Sequence, residues 1–333
     1  MTKRTFHCID SHTCGNPVRM VISGAPQLCG DTMLARRDDF LRNHDWIRRA
    51  LMFEPRGHDA MSGTILYPPT RPDCDVGVLF IEVSGCLPMC GHGTIGTVTS
   101  IIEEGLIEPR ESGVLRLDTP AGLVRAEYFM KDGHVDRVRL TNVPAFVHAV
   151  GLEVELEGMG TVRFDVSYGG NFYAIVEPQD NYAGLESLTA ADILHYSPKL
   201  RALANERYSV VHPVHEEIRG ISHVMWIGKP TQPEADSRNA VFFGERGIDR
   251  SPCGTGTSSR VAQLVARGDL AMGQPFVNES IIGTCFTGTA QERADVLGRP
   301  AIIPTVEGWA RVTGTNLITV DTRDPLAHGF QLA

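Results

Sequence analysis

The stretch Met89-Cys90-Gly91-His92-Gly93-Thr94-Ile95-Gly96 returns, altered, as Pro252-Cys253-Gly254-Thr255-Gly256-Thr257, and this recurrence governs the reading of the whole chain. Both copies contain Cys-Gly-x-Gly-Thr, and each leads into a helix-like run, Thr94 to Glu104 and Thr257 to Arg267, closed by Gly105 or Gly268. The likeness spreads outward. At an offset of 163 residues, Val78-Leu79-Phe80 falls on Val241-Phe242-Phe243. At an offset of 155, Asp10, Gly15-Asn16 and Val21 fall on Asp165, Gly170-Asn171 and Val176. Landmarks that match in order at near-constant spacing are the mark of an internal repeat. The expectation is two homologous lobes: residues 1–155 carrying the Cys90 loop, and residues 156–333 carrying the Cys253 loop, with the final strand or tail free to return to the first lobe. The boundary is expected within Val143 to Gly160.

Around the motifs, residues 5 to 22 read as two strands joined by a turn at Gly15-Asn16-Pro17. Asp31 is a plausible N-cap for one long helix through Leu51, whose apolar residues Leu34, Leu41, Ile47 and Leu51 share roughly one face. Thr64 to Tyr67 and Val76 to Val83 read as strands leading into the first cysteine loop. With 34 glycines and 20 prolines there is little room for long helices. The fold class is therefore α+β, each lobe a mixed, largely antiparallel sheet around one prominent helix.

Composition narrows the function. A chain of 333 residues can bury a core in each of two lobes. A net charge of -9, with Lys and Arg scattered, offers no footprint for nucleic acid. No stretch approaches the ~18 apolar residues of a membrane helix, and no signal-peptide core follows the N-terminus. A cytoplasmic protein is expected. Its 8 cysteines include no Cys-x-x-Cys pair and should be free thiols in a reducing compartment.

Gly91-x-Gly93-x-x-Gly96 formally matches the dinucleotide fingerprint. The context is wrong, since the match lies late in its lobe, opens on a cysteine, and has Ser259 in place of the third glycine in its second copy. A glycine-rich turn into a helix has another use: it presents backbone N–H groups and the positive end of the helix dipole, which bind an anion. A cysteine at that position feels the same field, which favours its thiolate. If the two lobes face one another, two such thiols flank one small anionic substrate. That arrangement moves a proton from one face of a carbon to the other.

Taken together, Met89-Cys90-Gly91-His92 and Asp249-Arg250-Ser251-Pro252-Cys253-Gly254-Thr255-Gly256-Thr257 resemble the signature of the proline racemase family. Ile9-Asp10-Ser11-His12-Thr13-Cys14-Gly15-Asn16-Pro17, Glu54-Pro55-Arg56-Gly57-His58-Asp59 and Tyr168-Gly169-Gly170-Asn171-Phe172-Tyr173-Ala174 resemble its 4-hydroxyproline epimerase branch. The resemblance spans essentially the whole chain. It implies a diaminopimelate-epimerase-like fold with the active site in the cleft between lobes. It also implies interconversion of trans-4-hydroxy-L-proline and cis-4-hydroxy-D-proline at the α-carbon, without a cofactor or metal. Cys90 and Cys253 would be the two acid–base groups. The backbone amides of Gly91, His92, Gly254 and Thr255 would hold the carboxylate, and Asp249 the ring ammonium. Relatives that dehydrate 3-hydroxyproline carry threonine at the position of Cys253, which argues against that activity.

Ser62 and His223 are the candidates for reading a substrate hydroxyl, because a small polar residue at position 62 replaces the bulky aromatic of proline-specific relatives. His223 has an alternative as a structural histidine, and the ring of His92 as a cap of its own loop. Cys29, Cys74, Cys86 and Cys285 read as packing residues. The alternation Cys8, Asp10, His12, Cys14 invites a zinc proposal but matches no common zinc spacing. The rival functions are a proline racemase with the same machinery and, from another class, a thiol redox or small-ligand binding protein. A homodimer remains an open option.

Overall fold

The computed structural model describes residues 3–332. Two compact units are distinguished: Met1–Leu140 together with Gly308–Ala333, and Thr141–Glu307. Limits at 155 and 156 would divide strand Phe146–Leu156 from its antiparallel partner Gly160–Tyr168. The stretch read as a boundary is thus largely a paired strand.

In the first unit, Lys3–Thr13 pairs antiparallel with Asn16–Ser23 across the Gly15 turn, and along its other edge with Ala310–Asp321. Asn16–Ser23 then pairs parallel with Ser62–Tyr67, which needs a helical crossover. Two helices supply it: α1 (Met33–Asn43) and α2 (Asp45–Met52). The single helix expected from Asp31 is thus broken, because His44 leaves helical geometry (φ -136°, ψ 7°) between α1 and α2. Thr32, not Asp31, is the N-cap, its hydroxyl accepting from the Ala35 amide at 3.1 Å. Ser62–Tyr67 pairs antiparallel with Val76–Glu82, which turns back as Gly85–Leu87. The chain then enters α3 (Gly91–Glu103), which packs against Lys3–Thr13, Asn16–Ser23 and Ala310–Asp321.

The second unit repeats this wiring. Gly160–Tyr168 pairs antiparallel with Phe172–Val176, which pairs parallel with His223–Gly228 after a crossover through α4 (Ala190–Arg207). His223–Gly228 pairs antiparallel with Ser237–Phe243, which turns back as Gly247–Ile248. α5 (Gly254–Arg267) follows and packs against Gly160–Tyr168, Phe146–Leu156 and Cys285–Val296. Each central helix is buried over its first turns, from Gly91 to Ile101 and from Gly254 to Gln263. Burial on all sides explains the many small side chains in both runs, since only Gly, Ser, Thr and Ala let sheet strands approach so closely. At Gly96 a Cβ would stand 3.0 Å from both Thr13 Oγ1 and Val18 Cγ2.

This is the α+β architecture expected from the sequence. Among the described residues, no helix is long and apolar enough to cross a membrane.

Candidate active site

Both cysteines stand at the N-cap of a buried helix, and both are buried themselves. The first helical bond forms alike in each, Thr94 N to Cys90 O at 2.9 Å and Thr257 N to Cys253 O at 2.7 Å. The second glycine of each motif has a direct reason. A Cβ on Gly93 would lie 3.1 Å from Cys90 Sγ, and one on Gly256 2.9 Å from Cys253 Sγ. Glycine there leaves room for the sulfur against the helix start.

The repeat preserves a further pair. Asn16 Nδ2 meets His92 Nε2 at 2.9 Å, and Asn171 Nδ2 donates to Thr255 Oγ1 at 3.4 Å. In each unit an asparagine from the strand turn thus reaches the residue two after the cysteine.

The sulfurs themselves differ in surroundings. Cys90 lies in extended backbone (φ -142°), and its Sγ accepts from Gly93 N at 3.4 Å. It donates to Glu82 Oε1 at 3.3 Å and sits 3.4 Å from His92 Nδ1. Glu82 is buried at the end of Val76–Glu82, opposite Ser62 in the ladder. Ser62 Oγ donates to its Oε1 at 3.3 Å, and Ser84 Oγ to its Oε2 at 3.1 Å. The Thr13 hydroxyl ties down the His92 carbonyl at 2.8 Å.

Cys253 instead has φ 64°, the left-handed region that a cysteine rarely enters, at a cost of about 1–3 kcal/mol. This turns its sulfur away from the capping position, and its side chain accepts no cap bond. Tyr173 meets it there, the phenol oxygen 3.2 Å from Sγ and also bonded to the Thr255 hydroxyl. Burial, reinforced by the neighbouring Cys253, pushes the Tyr173 phenol well above its ordinary range, so it keeps its proton. His223, opposite Tyr173 in the parallel ladder, stacks on its ring with centroids 4.7 Å apart, and its Nδ1 lies 2.7 Å from Ser222 Oγ. Upstream, Asp249 Oδ1 accepts from both the amide and the hydroxyl of Ser251 at 2.8 Å. The Ser251 hydroxyl then accepts from Cys253 N at 3.1 Å, and Asn239 Nδ2 holds the Pro252 carbonyl at 2.9 Å.

Ser62, Cys90, Gly91 and His92 thus cluster at the start of α3, and His223, Cys253, Gly254 and Thr255 at the start of α5 with Asp249 two bonds away. Sequence reasoning missed Glu82 and Tyr173. At the repeat offset of 163 Glu82 falls on Glu245, so the repeat carries it without marking it as a contact of the sulfur, whereas at the offset of 155 Tyr173 corresponds to Val18. Burial pushes the thiols of Cys8 and Cys86 up to about 12, and those of Cys74 and Cys285 to about 11, as packing groups, whereas Cys29, expected to pack, is exposed in the loop before α1. The alternating Cys8-to-Cys14 face is likewise structural. Asp10 is held bidentately by Arg19 at 2.9 Å, and the His12 Nδ1 accepts from Gly15 N at 3.1 Å. Arg56 bonds to the carbonyls of Ala50, Leu326 and Ala327, tying its loop to the C-terminal segment.

This duplicated fold, with a cysteine at the head of each central helix, matches the proline racemase family over residues 8–331, and the chain belongs to that family. It is 62% identical over 330 residues to a probable 4-hydroxyproline 2-epimerase of Rhizobium meliloti, covering 99% of both chains. It is 60% identical over 333 residues to the 4-hydroxyproline epimerase of Brucella ovis, covering 100% of both. A hydroxyproline epimerase from Agrobacterium vitis, crystallised with bound trans-4-hydroxy-L-proline, superposes with a TM-score of 0.91 at 33% identity, covering 100% of this chain and 96% of that one.

Proposed function

We propose that the protein is a 4-hydroxyproline 2-epimerase, interconverting trans-4-hydroxy-L-proline and cis-4-hydroxy-D-proline by proton transfer at the α-carbon. One observation carries this reading: a buried thiol heads each of two equivalent helices, in a chain matched end to end by 4-hydroxyproline epimerases. In the reaction, one cysteine as thiolate removes the α-proton from one face. The electron pair moves into the carboxylate as an enediolate, and the other cysteine as thiol delivers its proton to the opposite face. The thiol and thiolate have then exchanged places, and the reverse direction uses them in the opposite roles.

General acid–base catalysis contributes roughly 10²- to 10⁴-fold, too little by itself to ionise the α-carbon of an amino acid. Stabilising the enediolate is the larger need. Amides in the first turn of a helix have no partner within it, so those of Gly91, His92, Gly254 and Thr255 are suited to the carboxylate. Each well-placed donor of this kind is worth about 2.7–4 kcal/mol in the transition state, though such terms do not simply add. Asp249 pairs with the ring ammonium and keeps the nitrogen protonated, which makes the α-carbon more acidic. Ser62 and His223 read the 4-hydroxyl. The polar Ser62 favours hydroxyproline over proline, and eight cysteines without a Cys-x-x-Cys pair suit a cytoplasmic location.

The test is epimerisation in D₂O with chiral product analysis and no added cofactor. Deuterium at the α-carbon of the product, with kcat/KM for hydroxyproline above that for proline, is the expected result. Equal or higher kcat/KM for proline would make it a proline racemase. Full activity in either Cys90→Ser or Cys253→Ser would end the two-thiol assignment.

A further inference from the structure

We propose that Glu82, Cys90 and His92 form an inhibitory site for a thiophilic divalent cation, of which zinc is the type, bound in place of the Cys90 proton. Binding concerns these three side chains alone; inhibition rests on the function proposed above.

Thiolate, imidazole and carboxylate are the three ligand types zinc takes in proteins. Here one atom of each lies within 4.8 Å of the other two, and among the described residues no other group of these ligand types is so placed. The spacing is close to that of a coordination shell. With Zn–S of about 2.3 Å and Zn–N of about 2.0–2.1 Å at a tetrahedral angle, sulfur and nitrogen stand about 3.6 Å apart. Cys90 Sγ is 3.4 Å from His92 Nδ1 and 3.3 Å from Glu82 Oε1, both within a few tenths of an ångström of the separations that a shared ion sets.

The surrounding bonds suit it. A metal-bound histidine donates its other ring N–H to a fixed partner. Turning the Asn16 amide about its own axis makes Oδ1 the acceptor of His92 Nε2–H at the same 2.9 Å contact, leaving the Nδ1 lone pair for the metal. Ser62 and Ser84 already orient the two oxygens of Glu82. Charge balances as well, since thiolate plus carboxylate neutralise a divalent ion, which a buried site requires. The helix end works against a cation, but its contribution of about 0.3–1 kcal/mol is small beside two anionic ligands. Three protein ligands leave a fourth position for water. The second unit cannot do this, because Thr255 replaces the histidine and Tyr173 stands at the sulfur.

On binding, the Cys90 S–H bond breaks, its proton leaves to solvent and an S–Zn bond forms, with no change of oxidation state. Cys90 can then neither take nor give a proton, and turnover stops until the ion is removed.

Cobalt(II) tests the site directly, because a thiolate bound to it gives a near-ultraviolet charge-transfer absorption. Metal-free full-length protein, without substrate, is expected to bind one equivalent with this absorption. Cys253→Ser should keep it and Cys90→Ser lose it, and Glu82→Gln and His92→Gln should each bind at least tenfold more weakly. Circular dichroism verifies folding of each variant, and wild-type protein alkylated at its reactive thiols provides a second thiol-blocked sample. Zinc should displace cobalt and abolish epimerisation, with EDTA restoring it. No absorption in the wild type, absorption surviving in Cys90→Ser, or undiminished affinity in both Glu82→Gln and His92→Gln would overturn the site. Failure of the function reading appears separately, as metal-free protein that binds cobalt but does not epimerise hydroxyproline.

Discussion

The hydroxyl of Tyr173 lies 3.2 Å from Cys253 Sγ, whereas the sulfur of Cys90 is met by the carboxylate of Glu82 at 3.3 Å. A duplicated scaffold therefore presents its two thiols to unlike neighbours. A phenol that keeps its proton donates to a thiolate; a carboxylate accepts from a thiol. Tyr173→Phe removes that donor. A hydrogen bond to a charged group is worth about 1.5–3 kcal/mol, so kcat is expected to fall roughly 10- to 100-fold. Alkylation of Cys253, followed against pH in a Cys90→Ser background, should show its thiolate appearing at higher pH. Wild-type kcat with an unmoved alkylation profile would remove Tyr173 from the chemistry.

Gly256→Ala separates stability from activity. A Cβ there would stand 2.6 Å from Met225 Cε and 2.9 Å from Cys253 Sγ, so both must move. Alanine gains up to about 1 kcal/mol of helix propensity, while overpacking typically loses about 1–3 kcal/mol. Net stability should change by less than about 2 kcal/mol in a denaturation curve, yet kcat should fall at least tenfold because the sulfur is displaced. Unchanged kcat would mean that the sulfur position tolerates the shift.

How the sequence foretells these sites depends on distance along the chain. The repeated Cys-Gly-x-Gly-Thr placed both thiols at helix starts because loop, cap and helix are contiguous, and the structure keeps them so. Asn16 and Asn171 already matched at the same repeat offset, and their contacts to His92 and Thr255 give that match a physical basis. Glu82 and Tyr173 reach the sulfurs through strand register, which local pattern does not encode, and Tyr173 has no like residue at the repeat offset. The break at His44 was hidden because apolar spacing continues across it, while the backbone turns at a residue of ordinary helix propensity.

Asp249→Ala is expected to reduce kcat/KM by at least about 2 kcal/mol, roughly 30-fold, by removing the partner of a buried ammonium. Its Oδ1 also holds Ser251, so Asp249→Asn is the sharper variant: it can keep that bond and lose the charge. Asn and Ala variants equally impaired would assign the loss to charge; activity restored in Asn would assign it to the Ser251 loop.

Acid stability has a separate source at His212. Burial, with the neighbouring His215 adding to it, lowers its pKa to about 4, and its Nδ1 accepts from the amides of Val214 and His215 at 3.2 and 3.1 Å. Protonation breaks both bonds. Because the folded value lies below the unfolded one, the unfolded chain binds the proton first as pH falls. The stability is complete above about pH 6.5 and is lost progressively toward pH 4. Between pH 7 and 4.5 the wild type should lose roughly 2 kcal/mol more than His212→Asn in chemical denaturation. A difference below about 0.5 kcal/mol would contradict this.

The pairing of Lys3–Thr13 with Ala310–Asp321 sets an order on synthesis. Lys3–Thr13 is made long before its neighbour Ala310–Asp321, while Thr141–Glu307 is continuous and has every one of its own residues before that neighbour. Domains emerging from the ribosome generally fold as units once complete. On stalled chains in which residue 307 is followed by a spacer of tunnel length, the second unit is therefore expected to be protease-resistant while the first, lacking Ala310–Asp321, is not. Early protection of the first unit in such chains would reverse the order. A chain held at that point would have one thiol already enclosed in finished structure and the other still exposed to oxidants.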